Sequence, residues 1–543
     1  MAWPKIVYED IAVGGAAQTT ATASEQQPWC RVPDILEGVT PLQAATLEQD
    51  YWVLGTDFHF FPNSPAKQAW GWWTASMSDE NGYFATRPVL DLQLDGYFTC
   101  VGLTFTFDPY GPTWPTWMKV QWYRDGELLA EQEYQPNAYQ YSAIRTVHLF
   151  DRVVVTFDKM SHGYRYLKMQ EAIYGIIRTF GKDEYSAASF YQVVSLLSDG
   201  LEISDLVFNV RNTSSVPFTF QRKQQLAVYH GTTLLGLRFI TKSEQMAENS
   251  YKITAQDLLG VLNDSGDHNG GVYDGELSEV VLADILGEDI DYVIADELKG
   301  IPIHGWLPMD TRINNLTRVL FAIGGCASTA RARYLKLFKP DTSETVVPVS
   351  LAGRSLLGPK LTTDKLLTGV QMTEHSYTSG TETMEAYKGE LNGTTTVTFS
   401  EPMCAVSIEG GTIEKWEANY AIISGTGGTV TLTGTKYNHS TRLLTKTNPL
   451  VESGTIPNVK KCNDAYLVSP HNSAEVLERY FNYYLRNQTV TTKIFVVDDQ
   501  VADLVQLEND FHGAKVGNLL TMDITLSKKL AADVKVLLES EEV

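Results

Sequence analysis

The sequence predicts a mainly β chain with α/β insertions, and three observations carry that prediction. Apolar and polar residues alternate in many short runs, helical spacing is confined to a few brief stretches, and the aromatic residues are unevenly distributed. At 543 residues the chain exceeds what one hydrophobic core serves, so roughly three to five units are expected. Nine of the eleven tryptophans (Trp3, Trp29, Trp52, Trp70, Trp72, Trp73, Trp114, Trp117 and Trp122) lie in the first 122 residues. That shift in composition marks a boundary beyond them.

In the first region Leu90, Leu92 and Leu94 alternate with polar residues, as do Leu103, Phe105 and Phe107. Both runs read as half-buried strands. Asp125-Gly126 separates two extended runs, a hairpin signal, and DRVVVTFD places Val153, Val155 and Phe157 on one face. Residues 1–178 are expected to form an aromatic-rich antiparallel β-sandwich of jelly-roll type. The runs LVFNVRN, FTFQRKQQLAVYHG, LLGLRFITK and SYKITAQDLLGVLN predict a small barrel over 181–262, closed by a short helix.

An α/β connecting segment follows over 263–340. Ser278 is the expected N-cap and Gly287 the stop of a helix built on Val281, Leu282, Ile285 and Leu286. In GIPIHGWLPMDTRINNLTRVLFAIGGC, Trp306-Leu307-Pro308 reads as a stiff turn into a helix over 310–323. Asp310 caps it, Ile313, Leu316, Leu320 and Ile323 recur at helical spacing, and Gly324-Gly325 ends it. Residues 341–470 are rich in Thr and Gly with alternating apolar positions, and predict a β domain that contributes part of a second barrel. Within it SGTGGTVTLTG around Gly425 reads as a hairpin turn. Over 471–543, Asn472 is placed to cap a helix carrying Val476, Leu477, Tyr480, Phe481, Tyr484 and Leu485 on one face, with Glu475 in its first turn. Closing strands follow, with Met522, Ile524 and Leu526 alternating.

Composition excludes several classes of function. The formal net charge is −22, with acids dispersed, which opposes tight phosphate binding because nucleic-acid affinity rests on clustered Lys and Arg. No apolar run reaches the length of a membrane span, and the first residues lack a basic and apolar leader, so neither membrane insertion nor secretion is expected. The five cysteines form no CxxC pair and read as free thiols. Five glycosylation-type sequons, at Asn212, Asn315, Asn392, Asn438 and Asn487, read as chance without a secretory route.

Catalytic and cofactor motifs are absent from the sequence: no HExxH, GxSxG, GxxxxGK[ST] or GxGxxG occurs. The acidic loop with Asp264, Asp267, Asn269, Asp274 and Glu276 fails EF-hand spacing, since Ser278 stands where a bidentate Glu is required. No metal, cofactor or enzymatic activity is therefore expected. The best candidate contact platform is DPYGPTWPTW, where prolines would hold Tyr110, Trp114 and Trp117 out for sugar or protein; packing into the domain core is the favoured alternative.

Taken in order, LEISDLVFNVRN, FTFQRKQQLAVYHG, LRFITKSEQMAENSYKITAQDLLGVLN, VVLADILG, GIPIHGWLPMDTRINNLTRVLFAIGG and VGNLLTMDITLSKKLAADVKVL resemble the hub proteins at the tip of bacteriophage tails. The family's barrel-ending A-x-D is Ala255-Gln256-Asp257, and its G-x-L-P turn is Gly305-Trp306-Leu307-Pro308. The resemblance covers residues 181–543. LEQDYWVLGTDFHFFP, GWWTASMSDENGYF and GLTFTFD look like the sandwich carried ahead of the hub in tail proteins of phages of Gram-positive hosts. Many relatives continue into a peptidase or fibre, whereas this sequence stops at Val543, which speaks against digestion of the cell wall.

The resemblance implies a homotrimeric hub of two small β-barrels and helical connecting domains, forming a pseudo-sixfold ring that joins the sixfold tail tube to a threefold tip. It implies contacts with the distal tail protein, the tape measure protein and tip, spike or receptor-binding proteins. DNA would pass through without tight binding. The location implied is the virion, after assembly in the host cytoplasm. In this reading Trp306, Leu307, Pro308, Leu316 and Leu320 form a structural spacer. The competing classes are a carbohydrate-binding or carbohydrate-active protein built on β-sandwiches and, less favoured, an envelope adhesin.

Overall fold

The computed structural model describes residues 3–38, 43–51, 55, 58–59, 70–111, 113–213, 216–288, 290–356, 358–452, 454–508 and 513–539. Trp52 and much of the LEQDYWVLGTDFHFFP stretch lie outside the described residues. As the alternating patterns predict, the chain is mostly β, arranged in several sheets whose pairings are overwhelmingly antiparallel.

Among the described residues the largest sheet has thirteen strands and forms a two-lobed body. One lobe joins Tyr185–Val193, Asp205–Arg211, Ser250–Gln256, Thr233–Ala247 and Gln225–His230 in that spatial order. The other joins Lys515–Thr525, Ala531–Leu538, Gln488–Phe495 and Lys360–Thr363. Tyr185–Val193 fuses the lobes by pairing with Lys515–Thr525, Phe190 opposite Ile524. Phe190, Leu206, Phe208, Leu226, Ile253, Val490, Met522, Ile524 and Val534 share one core. Each fully buried side chain of this kind contributes about 1.5–3 kcal/mol.

The first strand corrects the expected boundary at 1–178. Pro4–Ile11 does not belong to the aromatic unit; it pairs with Gln225–His230 on one side and Gly175–Phe180 on the other, completing the first lobe. Its alternation puts Ile6 and Tyr8 wholly inside that lobe's core. Tyr8 Oη donates to Gln224 Oε1 at 2.7 Å, and Asp10 pairs with Arg178 at 2.8 Å. Ile11 stands opposite Gly175. The aromatic unit is thus an insertion that leaves and re-enters the body at one point.

Among the described residues that insertion is built on one seven-stranded antiparallel sheet. The two leucine and phenylalanine runs of the sequence belong to a single strand, Val89–Phe107, paired with Gln140–Met160. Phe157 N–H bonds Pro88 O at 2.9 Å, at the start of that strand. Phe107, at its far end, nevertheless meets the Phe157 ring edge-on at 6.4 Å. The sheet therefore folds over on itself, and Leu90, Leu92, Phe105, Trp122, Val153 and Val155 fill the space between. Asp125 and Gly126 both have positive φ, as a two-residue hairpin with the right-handed twist requires.

Among the described residues four α-helices pack beside the body: α1 (Leu258–Asn263), α2 (Ser278–Leu286), α3 (Arg312–Ile323) and α4 (Ser473–Leu485). Three capping expectations are corrected. Thr311, not Asp310, caps α3, accepting from Asn314 N–H at 3.4 Å. Ser278 is the first residue inside α2, where its hydroxyl donates to Leu298 O at 2.6 Å. Asn472 holds the N-cap position of α4 as expected, but its side chain does not cap the helix and bonds backwards, accepting from Ser469 N–H and donating to Leu467 O. The α3 apolar face is as expected: Ile313, Leu316, Leu320 and Ile323 are buried, and Gly324 ends the helix in the left-handed region.

The Thr- and Gly-rich region forms a long hairpin of Gly369–Thr398 with Tyr420–Thr447. The expected turn around Gly425 is strand interior, with Gly425 opposite Gly393 and Gly428 opposite Leu391; the register shift between Leu391 and Asn392 passes over Gly427. No described helix is long and apolar enough to cross a membrane.

Candidate functional site

The connecting segment meets the long hairpin around Trp306, whereas Leu307, Leu316 and Leu320 share a buried cluster that Trp306 does not join. Trp306 and Leu307 are the last residues of a strand, Pro302–Leu307, rather than part of a turn. Its partner is Gly271–Leu277, so the stretch read as an acidic loop supplies strands to the junction.

Gly305 permits a close approach: its φ is +128°, and a Cβ there would lie 2.3 Å from Tyr466 O. The neighbouring Trp306 N–H then bonds Tyr466 O at 3.2 Å. Trp306 Nε1 donates to Asn419 Oδ1 at 2.7 Å, and its ring touches Tyr466 and Tyr377. Asn419 Nδ2 in turn donates to Leu307 O at 2.8 Å and to Asn269 O. Asn419 lies at the root of Tyr420–Thr447, and Tyr377 lies in Gly369–Thr398. Trp306 therefore clamps the long hairpin to the connecting segment, whereas the spacer reading assigns it to the docking of α3.

Leu307, Leu316 and Leu320 are fully buried in the cluster that joins α1, α2 and α3. Pro308 is half-buried, and its carbonyl accepts from Asn315 Nδ2 at 3.0 Å. Asn315, a sequon residue dismissed by sequence, is the polar centre of the turn. Its Nδ2 also lies 3.0 Å from His268 Nδ1, and its Oδ1 accepts from Arg318 at 2.8 Å. His268 Nδ1 faces Gly270 N–H as well, so that nitrogen is the acceptor and Nε2–H donates to Asp284 at 2.9 Å. The detectable signal was an amide at helical spacing from Val319 and Ala322, which are buried on the same flank of α3, and a desolvated amide demands partners.

The helix ends are tied by arginines from neighbouring elements. Arg312 donates to Leu286 O at 3.1 Å at the end of α2, and Arg479 of α4 donates to Phe321 O and Ala322 O at the end of α3. Both place positive charge at the negative pole of a helix. Glu374 of the hairpin accepts from Ser473 at 2.6 Å and Arg442 at 2.7 Å. Burial pushes its carboxyl up, but these two donors outweigh burial and hold it below the usual carboxylate value.

Two histidine pairs flank Trp306. His304 stacks on His471 at 3.9 Å, and His304 Nδ1 lies 3.2 Å from Asp274. His375 Nδ1 lies 2.9 Å from His439 Nε2, and Tyr377 stacks flat on His439 at 4.4 Å. Sequence spacing gave no hint of these pairs, because each joins residues remote along the chain.

The predicted aromatic platform is dispersed in its roles. Tyr110 is exposed, Trp114 packs against the core of the inserted unit, and Trp117 lies under the Arg87 guanidinium at 5.1 Å with Nε1 donating to Glu133. All five cysteines are free thiols, with Cys30, Cys100 and Cys326 buried.

Comparison with known proteins yields structural likeness alone. No family model matches the chain, and no curated protein is similar to it. Among solved structures, a tail protein from Neisseria meningitidis MC58 is similar over 65% of this chain and 96% of its own, at 11% identity and a TM-score of 0.41. The prophage MuSo2 43 kDa tail protein from Shewanella oneidensis covers 66% of this chain and 95% of its own, at 9% identity and 0.40. Prophage tail protein gp18 from Listeria monocytogenes EGD-e covers 67% and 92%, at 11% identity and 0.38.

Proposed function

We propose that this chain is a structural hub at the distal end of a phage tail. The observation that carries the reading is the two-lobed body: two antiparallel lobes fused by Tyr185–Val193 and Lys515–Thr525, with helices α1 to α3 between the first lobe and the long hairpin. This is the element order that the sequence resemblance implies. Three copies form a ring whose paired lobes present six similar surfaces to the tail tube and three to the tip. The distal tail protein and tape measure protein contact the ring from above, and tip, spike or receptor-binding proteins from below. Its role is mechanical and not enzymatic. With a net charge of −22 per chain, the ring repels the DNA phosphates and lets the genome slide during ejection.

Mass photometry of the purified full chain tests this reading. The expected result is a species of three times 60.5 kDa that appears as rings by negative-stain electron microscopy. A chain that stays monomeric at micromolar concentration and binds glycans would overturn it in favour of a carbohydrate-binding module.

A further inference from the structure

The inserted aromatic unit contains a buried ionic cluster that none of the preceding roles uses. Lys168 opens the strand Lys168–Ile173, and Asp108 directly follows Val89–Phe107. Phe107 is paired with Met169, so Asp108 and Lys168 occupy the next position along that ladder. Lys168 Nζ lies 3.1 Å from Asp108 Oδ2 and also bonds Glu48 Oε2. The three side chains are 1%, 3% and 0% exposed. Nζ sits 3.5 Å from the centre of the Tyr51 ring and 4.6 Å from that of Trp73.

From this geometry we infer that Lys168 and Asp108 condense spontaneously into an intramolecular isopeptide bond, with Glu48 relaying the protons. Each part of such a reaction has a residue in place. The amine is a nucleophile held within contact distance of the carboxyl in a dry aromatic cage. Asp108 Oδ1 accepts the Tyr110 N–H at 2.9 Å and the Gly111 N–H at 3.3 Å, donors placed to stabilise charge on that oxygen as the tetrahedral intermediate forms. Oδ2, the oxygen that departs, accepts the Tyr51 hydroxyl at 2.5 Å. Glu48 is held by Thr46 Oγ1 at 2.7 Å and Tyr166 N–H at 2.9 Å, with Oε2 on the amine.

The step balances within the site. The Lys168 ammonium passes one proton to Asp108 Oδ2, and the freed amine attacks Cγ. A second proton travels from nitrogen through Glu48 to the same oxygen. The Cγ–Oδ2 bond breaks, one water leaves, and an Nζ–Cγ amide remains with Glu48 ionised as at the start. The driving force is electrostatic. Burying three ionised groups carries a desolvation cost that their mutual attraction repays only in part. Condensation leaves one carboxylate, whose acceptors are already matched by Thr46, Tyr166 and the new amide N–H.

Intact-mass spectrometry of the denatured full chain decides the matter. The expected mass is about 18 Da, one water, below the sequence mass, with a branched tryptic peptide joining Asp108 to Lys168. Lys168→Arg and Asp108→Ala should restore the full mass. Glu48→Gln, shown to be folded by near-ultraviolet circular dichroism, should also keep the full mass; water loss in that variant would overturn the relay role. A folded wild-type chain at full sequence mass, or a water loss mapping elsewhere, would overturn the bond itself.

Discussion

At the scale of single residues, the His375–His439 pair makes the junction sensitive to acid. His375 Nε2 lies 3.1 Å from Asn463 O, so that nitrogen carries the hydrogen and Nδ1 accepts from His439 Nε2–H. His375 is therefore neutral, and protonating it would set two N–H groups against each other. Burial, and for His375 also the neighbouring His439, holds both rings below their usual value of 6.5, against the weaker upward pull of the Asn463 carbonyl and Asp464 on His375 and of Glu401 on His439. An unfolded chain then binds more protons than the folded one as pH drops through 6.5, so the stabilisation is complete above that pH and is lost below it. The expected outcome is a melting temperature that falls between pH 7.5 and pH 5, with a smaller fall in His375→Gln. Equal slopes in both proteins would refute the assignment.

At the scale of elements, α3 separates what the sequence made legible from what it did not. Its apolar stripe was visible because Ile313, Leu316, Leu320 and Ile323 recur at helical spacing, and all are buried. The cap was misplaced by one residue because Asp310 and Thr311 are both competent; the structure uses Asp310 to bond Thr311 N–H and Asn314 Nδ2 instead. Trp306 looked like the lead of a helix because its true partners, Asn419 and Tyr466, lie far along the chain. The same reason hid Asn315 and the cluster around Lys168, whose chemistry appears only when three remote segments meet. Leu316→Ala or Leu320→Ala should cost about 2–5 kcal/mol each, read as a reduced denaturation midpoint. Asn314→Ala, on the exposed face, should cost under about 0.5 kcal/mol. Comparable losses in all three would mean that the helix does not pack through this face.

At the scale of the whole molecule, the insertion of the aromatic unit between Pro4–Ile11 and Gly175–Phe180 decides which pieces fold alone. Alternation within PKIVYEDI could mark a strand, but no local pattern could tell that it pairs with Gln225–His230 rather than with the tryptophan-rich strands that follow it. A fragment starting at residue 181 loses both Pro4–Ile11 and Gly175–Phe180. It would bare one edge of Gln225–His230 and remove Ile6, Tyr8 and Phe180 from the core of the first lobe. At about 1.5–3 kcal/mol per buried side chain, that loss rivals the roughly 5–15 kcal/mol by which a typical domain is stable, and an open edge invites aggregation. A chain joining residues 1–11 to 175–543 through a short Gly-Ser linker keeps the strand, because Ile11 and Gly175 already face each other. The expected outcome is a single cooperative melt for the linked chain and aggregation, or a melting temperature at least about 10 °C lower, for 181–543. If the two melt alike, the first strand contributes nothing to the body and the boundary belongs near residue 178 after all.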